Sequence, residues 1–570
     1  MIKDKQNEGR LNIINHEIAL NLIKIYETRD IAHITAPLIE VFNKLLQTSS
    51  DIIVQVFNNK NPYPGLFRLI DHKDNQIVLL TLQSICSLLK GGLDTTEVTE
   101  QHPHYNIIDR CNGIKILYKL FKLTTTTHEL QEICAICIGR IYRSKEIQDK
   151  DMRQDVIAQL KNMVHDLNEW TKVASIEAIS LLAQNQVNLA EIMTLEFLQS
   201  IAQDLRKQLI GNELLQKSMN QKQENECEFL HKVLINNPKN DQLRLIMIKS
   251  GIIDSLLNIF QNRELQSITL PFLQLFFNMT DSQSNNVKQQ ILDKHPYAPL
   301  LHLLKHNNNK IIEYSIISIN NILSYGLVSS PITEQNPDLI IIQDCKEVEN
   351  LFELFNKRDV IQSIKDIAAI CIGNLFRAKQ LPTGIDIISH LMLLLNSPDQ
   401  QTGQQSRNTL NYLAQDNSNF AEIMKRIDLK SIAVELKKTL VGNEEQKKQI
   451  LNKQELQCSL IYVILNGRED EQLLISIINT GIAALFLNIF EQRDLSLITQ
   501  PFTTAFRMLT QGRTEITNQL LNQKQIPSLL RLLTHKDIEV ITDTMKIFFN
   551  FIFASNNGSQ DATANPYYDI

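Results

Sequence analysis

Cys134 and Cys137, two thiols separated by Ala135 and Ile136, have the spacing of a metal or redox pair. Thiolates so spaced hold zinc only when a second pair or two histidines complete the tetrahedron. No second cysteine pair follows, and the related stretch Ala368-Ala369-Ile370-Cys371 keeps a single thiol. Both cysteines therefore read as buried structural thiols in an apolar helix. His102 and His104 flank Pro103 in a polar insert, 95–104, with Cys111 the one further ligand nearby, so the insert reads as a solvated loop. His72, His306 and His535 recur at a helix end, where a histidine suits the helix dipole, and are assigned no catalysis. The sequence has no glycine-rich phosphate loop ending in Gly-Lys-Ser/Thr, no His-Glu-x-x-His and no Gly-x-Ser-x-Gly. The expectation is a protein that is not an enzyme and holds no metal or cofactor.

The elements that position these residues are laid out by an internal repeat. Segments 22–37, 256–271 and 485–501 align, so that Arg29, Arg263 and Arg493 coincide, as do Pro37, Pro271 and Pro501. The match continues downstream: 61–72 with 295–306, 135–143 with 369–377, 181–193 with 412–424, and 209–213 with 440–444. Two units are expected, 1–243 and 244–476, then a partial third, 477–558, and a disordered polar tail, 559–570. Within them an aliphatic helix core recurs every ~40–55 residues, averaging about 46, which suits armadillo and HEAT repeats better than shorter ones and gives about twelve repeats. Apolar residues in 311–323 recur at three- and four-residue steps, a helical spacing. Each short helix pair cannot bury its apolar face alone, so neighbours must stack.

Arg29, Arg263 and Arg493 each precede an acidic residue, and Lys60, Lys294 and Lys524 recur likewise. They are either spaced cations for acidic partners or, for the arginines, ties between adjacent helices through carbonyls at a helix C-terminus. The adjacent acid and the fixed register favour the second.

This pattern resembles the armadillo family: a glycine-marked helix start (Lys249-Ser250-Gly251-Ile252, Asn479-Thr480-Gly481-Ile482), a leucine-rich helix, then a longer third helix ending in Asn-Leu. The resemblance covers nearly all of the chain to about residue 558. It implies an all-α fold, a right-handed armadillo-like superhelix (an α-solenoid) with an internal duplication of ~232 residues. In that family the third helix lines a concave groove, and an Asn near its end bonds the backbone of an extended peptide. A carboxamide suits this because it both donates and accepts. The matching positions are Asn278, Asn321, Asn374 and Asn550. In the first unit Ser87 stands where the second has Asn321, and Arg140 where it has Asn374, which brings Arg140 into the candidate set. Alternatively these side chains bond neighbouring backbone or solvent. Nuclear-import adaptors of the family add a Trp one turn before each Asn, whereas the single Trp here, Trp170, has no Asn four residues on.

Composition bounds the function. Hydrophobic residues make up 43% and charged residues 21%, with 17 Gly and 15 Pro in 570 residues, which favours long helices with few breakers. The net charge of -6 gives no basic field for nucleic acid. No stretch approaches the ~18 apolar residues of a membrane span, and the N-terminus lacks a signal-peptide core. Eight scattered Cys suit a reducing interior. The expectation is a cytoplasmic scaffold or adaptor, with nucleus or cytoskeleton open, binding other proteins or extended peptide segments along a groove. Its rivals are a chaperone or exchange stimulator of small GTPases and, less favoured, a nuclear-transport adaptor.

Overall fold

The computed structural model describes residues 18–46, 60–345, 348–511 and 526–558. Among these are 31 α-helices and no β-strand. The expected tail and Lys524 lie outside the described residues.

Long helices begin where a short polar side chain precedes an apolar run. Asp74, Asn168, Asn212, Asn308, Asp399 and Asn443 each accept a bond from a backbone N–H in the first turn of the helix that follows. Such a cap contributes about 1 kcal/mol. The expected glycine-marked starts are present: Gly251 (φ 90°) and Gly481 (φ 83°) turn the chain between two helices in a conformation that costs a residue with a Cβ.

The chain divides into two compact units, residues 1–299 and 300–570. Residues 243 and 476, where the sequence repeat turns over, lie in the helices Asp241–Ser250 and Glu471–Asn479. In the first unit a row runs through α1 (Ala36–Leu46), α2 (Asn75–Leu93), α3 (His128–Ile141), α4 (Glu169–Leu182), α5 (Glu213–Ile235) and α6 (Leu270–Thr280). In the second it runs through α7 (Asn309–Ser329), α8 (Gln362–Leu375), α9 (Gln400–Leu413), α10 (Glu444–Leu465), α11 (Gln500–Thr510) and α12 (Ile538–Gly558). Within each unit every row helix packs on the next. Shorter helices cover the row and also meet one another, as Leu195–Arg206 meets Ile252–Asn262 and Leu429–Leu436 meets Ile482–Gln492.

A helix with neighbours on several sides must be apolar on several sides. That explains a departure from expectation. By length and composition α2 and α7 are apolar enough to cross a membrane, though both pack within their rows with 61% and 50% of the apolar window buried.

Candidate functional site

The candidate side chains at the ends of the row helices reach the helix before them. Asn278 on α6 bonds His231 Nδ1 on α5 at 2.5 Å, and Asn550 Nδ2 on α12 donates to Thr510 Oγ1 on α11 at 3.0 Å. Asn374 on α8 is buried: its Nδ2 donates to Asn320 on α7 at 3.1 Å, and its Oδ1 accepts from Thr409 on α9 at 2.8 Å. Both ends of that carboxamide are used inside the protein. Arg140 on α3 is buried as well, donating to Cys86 O on α2 at 3.1 Å and to Glu177 Oε2 on α4 at 3.0 Å. Asn321 is half-buried on α7.

The recurrent arginines tie helices together through an intermediary. Arg263 Nη2 donates to Gln223 Oε1 on α5, and Arg493 Nη2 to Gln454 Oε1 on α10, both at 2.6 Å. Each glutamine spends its amide on carbonyls at the end of the preceding short helix: Gln223 on Asp204 and Lys207, Gln454 on Glu435, Leu436 and Lys438. The guanidinium groups also stand over Phe272 and Phe502. So the expected carbonyl contacts are made by a glutamine, which stands between each guanidinium and the helix end it would have met. Arg29 is exposed. Carbonyls are met directly by Arg68, which donates to Tyr26 O, and Arg531, which donates to Phe490 O, each at 2.8 Å. Lys60 pairs with Glu27, and Lys294 with Asp254 at 3.0 Å.

His102 and His104 are buried rather than solvated. Gly92 makes the room: a Cβ there would lie 2.9 Å from His102 Cε1. His102 Nε2 meets Leu89 O at 2.9 Å, His104 Nδ1 meets Tyr63 OH at 2.8 Å, and burial pushes the two pKa values down to about 3 and about 4. Arg143 and Arg377, which close the two matching segments 135–143 and 369–377, are buried and each collects a carbonyl near the end of the preceding row helix and one from the loop beyond it. Sequence reading passed over both, although their recurrence was the available signal. His72, His306 and His535 accept through Nδ1 from the backbone N–H two residues on, so each ties down the turn that follows it. Cys134 and Cys137 are buried, and burial pushes both thiols upward. Among the described residues no group of three or more His, Cys, Asp or Glu could hold a metal.

Among the clefts open to solvent is a trough in the second unit, a cavity of about 770 Å³ between α9 and α10. One wall is Gln400, Gly403, Gln404 and Arg407; the other is Glu445, Lys448, Gln449, Asn452, Glu455 and Ser459. Each set recurs at three- and four-residue steps, so each is one face of its helix. A Cβ on Gly403 would meet nothing nearer than carbonyl oxygens at 3.6 Å, so its lack of a side chain serves openness rather than packing. Arg407 lies over Tyr462 (5.7 Å), bonds Gln404, and reaches Ser459 Oγ at 3.5 Å. Its Nε is buried without a bonding partner, and burial lowers its pKa. Glu455 turns to Thr499 and Glu445 to Gln449. The walls carry hydrogen-bond donors and acceptors side by side, with Leu395, Pro398, Leu456 and Pro501 completing the lining.

No protein family matches the chain, and no curated protein does. Among solved structures, one described as the crystal structure of an engineered protein aligns with 94% of this chain and 98% of its own. Its identity is 13% and the TM-score 0.38, a likeness too loose to bear on fold type or role.

Proposed function

We propose that this chain is a non-enzymatic scaffold of the armadillo-like, solenoid type, built on a duplicated unit, which holds extended segments of partner proteins against its row helices. The observation that carries the reading is the trough between α9 and α10. There, carboxamides and charged groups recur at helical spacing and face solvent. Carboxamides pair with peptide N–H and C=O whatever the side chains are, and many such contacts add up along an extended surface. The asparagines at the helix ends serve the packing of the row, which fixes the spacing of the trough walls. Cytoplasmic placement and the absence of nucleic-acid or membrane partners belong to the same proposal and rest on composition alone.

The test is selection of short random peptides displayed on phage against the immobilised full chain. Enriched peptides are expected to lose at least ~10-fold in affinity when Gln404→Ala and Asn452→Ala are combined, with the helical circular dichroism unchanged. Failure to enrich any peptide, or enriched peptides indifferent to the double variant, removes the trough as the binding site.

A further inference from the structure

Arg407 is a cation without a close counter-ion: Glu455 acts on it through space but not from ion-pair distance. Among the described residues no carboxylate lies within ion-pair distance of its guanidinium, although two acidic residues line the same trough. Of these, Glu455 is held by Thr499 on α11 and Glu445 is met by Gln449. The arginine is half-buried, one flank on the Tyr462 ring, with a buried Nε–H that nothing accepts. A partly desolvated guanidinium in this state gains more from an incoming carboxylate than an exposed lysine would, because much of its hydration is already lost and its planar fork fits two oxygens. Lys448, exposed on the facing wall, also has no ion pair among the described residues and adds to the same attraction.

The duplicated sequence makes the contrast internal. Aligning 181–193 with 412–424 pairs Arg407 with Ile176, Gln404 with Val173 and Glu445 with Leu214. Ile176 is buried, while Val173 and Leu214 are exposed. The fold therefore does not require a cation at Arg407, and the matching face of the first unit puts Val173, Ile176 and Leu214 among polar residues such as Lys217, Gln221 and Glu224.

Resting on the reading of the trough as a peptide site, we infer that Arg407 is its specificity residue: it takes a carboxylate carried by the bound segment, while the carboxamides on either side hold that segment's backbone. The carboxylate comes from an Asp or Glu side chain or from a free C-terminus.

The experiment runs the peptide selection in parallel on the native full chain and on Arg407→Gln, with synthetic peptides made from the winners. An acidic position should dominate the native selection and vanish from the Arg407→Gln selection. Replacing that acid by its amide in the synthetic peptide should cost at least ~10-fold in affinity for the native chain and little for the variant. The amide replacement needs no protein variant, so it decides the matter even if Arg407→Gln folds poorly. Peptides synthesised with a free or amidated C-terminus separate the two carboxylate sources. Enriched peptides with no acidic preference and no need of a free C-terminus, or a preference that survives Arg407→Gln, overturn the role of Arg407 and leave the trough standing. No enriched peptide at all overturns both.

Discussion

Glu226 on α5 is almost wholly buried, yet it has no full ion pair to justify a charge. His165 Nε2 stands 3.6 Å and Lys222 Nζ 3.9 Å from its Oε1, and its Oε2 has no bonding partner. Burial, then repulsion from Asp204, pushes its pKa up to about 8. Asp204, although burial works against it, is held at about 2 by Lys207 and Lys222. The sign follows from proton counting. Between the ordinary glutamate range and about pH 8 the folded chain keeps a proton that the unfolded chain has released, so stability falls as pH rises through that window and levels off above it. The duplicated sequence places a neutral amide, Gln457, at the matching position. Glu226→Gln is therefore expected to flatten the slope, gaining on the native protein between pH 5 and 8.5 by up to about 4 kcal/mol. Thermal melts at several pH values measure it, and parallel slopes for the two proteins would show that Glu226 is charged in the fold.

At the level of elements, the joints between helices are glutamine–arginine relays, and the clearest is Gln454. Its amide holds three carbonyls at the end of Leu429–Leu436 while its oxygen receives Arg493. Removing it strands buried acceptors and a half-buried guanidinium together, so Gln454→Ala should cost about 2–4 kcal/mol. Arg493→Ala, which leaves the glutamine amide in place, should cost less. Equal losses in chemical denaturation would show that the relay is not the joint. This is also where sequence and structure part. Helices were legible because periodicity is local, and the arginine series was visible because the chain repeats itself. The partner of each arginine was not, since it comes from a helix some forty residues away that no local pattern names. His102 looked solvated because its neighbours in sequence are polar; the space that buries it belongs to Gly92, on another element. The trough was hidden in a Gln-rich composition, although 400, 404 and 407 share one helix face.

For the whole molecule, the row decides where the chain can be cut. Duplication alone puts the first unit's end at 243, but α5 relies on α6 and its approach beyond that point. Asn220 and Gln223 bond Arg263, Glu224 accepts from Thr269 at 2.7 Å, and His231 meets Asn278. A chain ending at 243 loses all four contacts, cuts through Asp241–Ser250, and uncovers the flank of α5 on which α6 packs. Packing flanks left bare in this way draw chains together. A fragment of residues 1–296 keeps α6, the helix Asn285–Leu292 and the Lys294–Asp254 pair. It is expected to be monomeric, with the helical content of its share of the chain and one cooperative melt. The 1–243 fragment should instead lose helix beyond the residues removed and elute as aggregates. Circular dichroism with size-exclusion chromatography distinguishes them. Two fragments that behave alike would mean that each repeat carries its own stability and that α6 contributes little to α5, against the packing of the row.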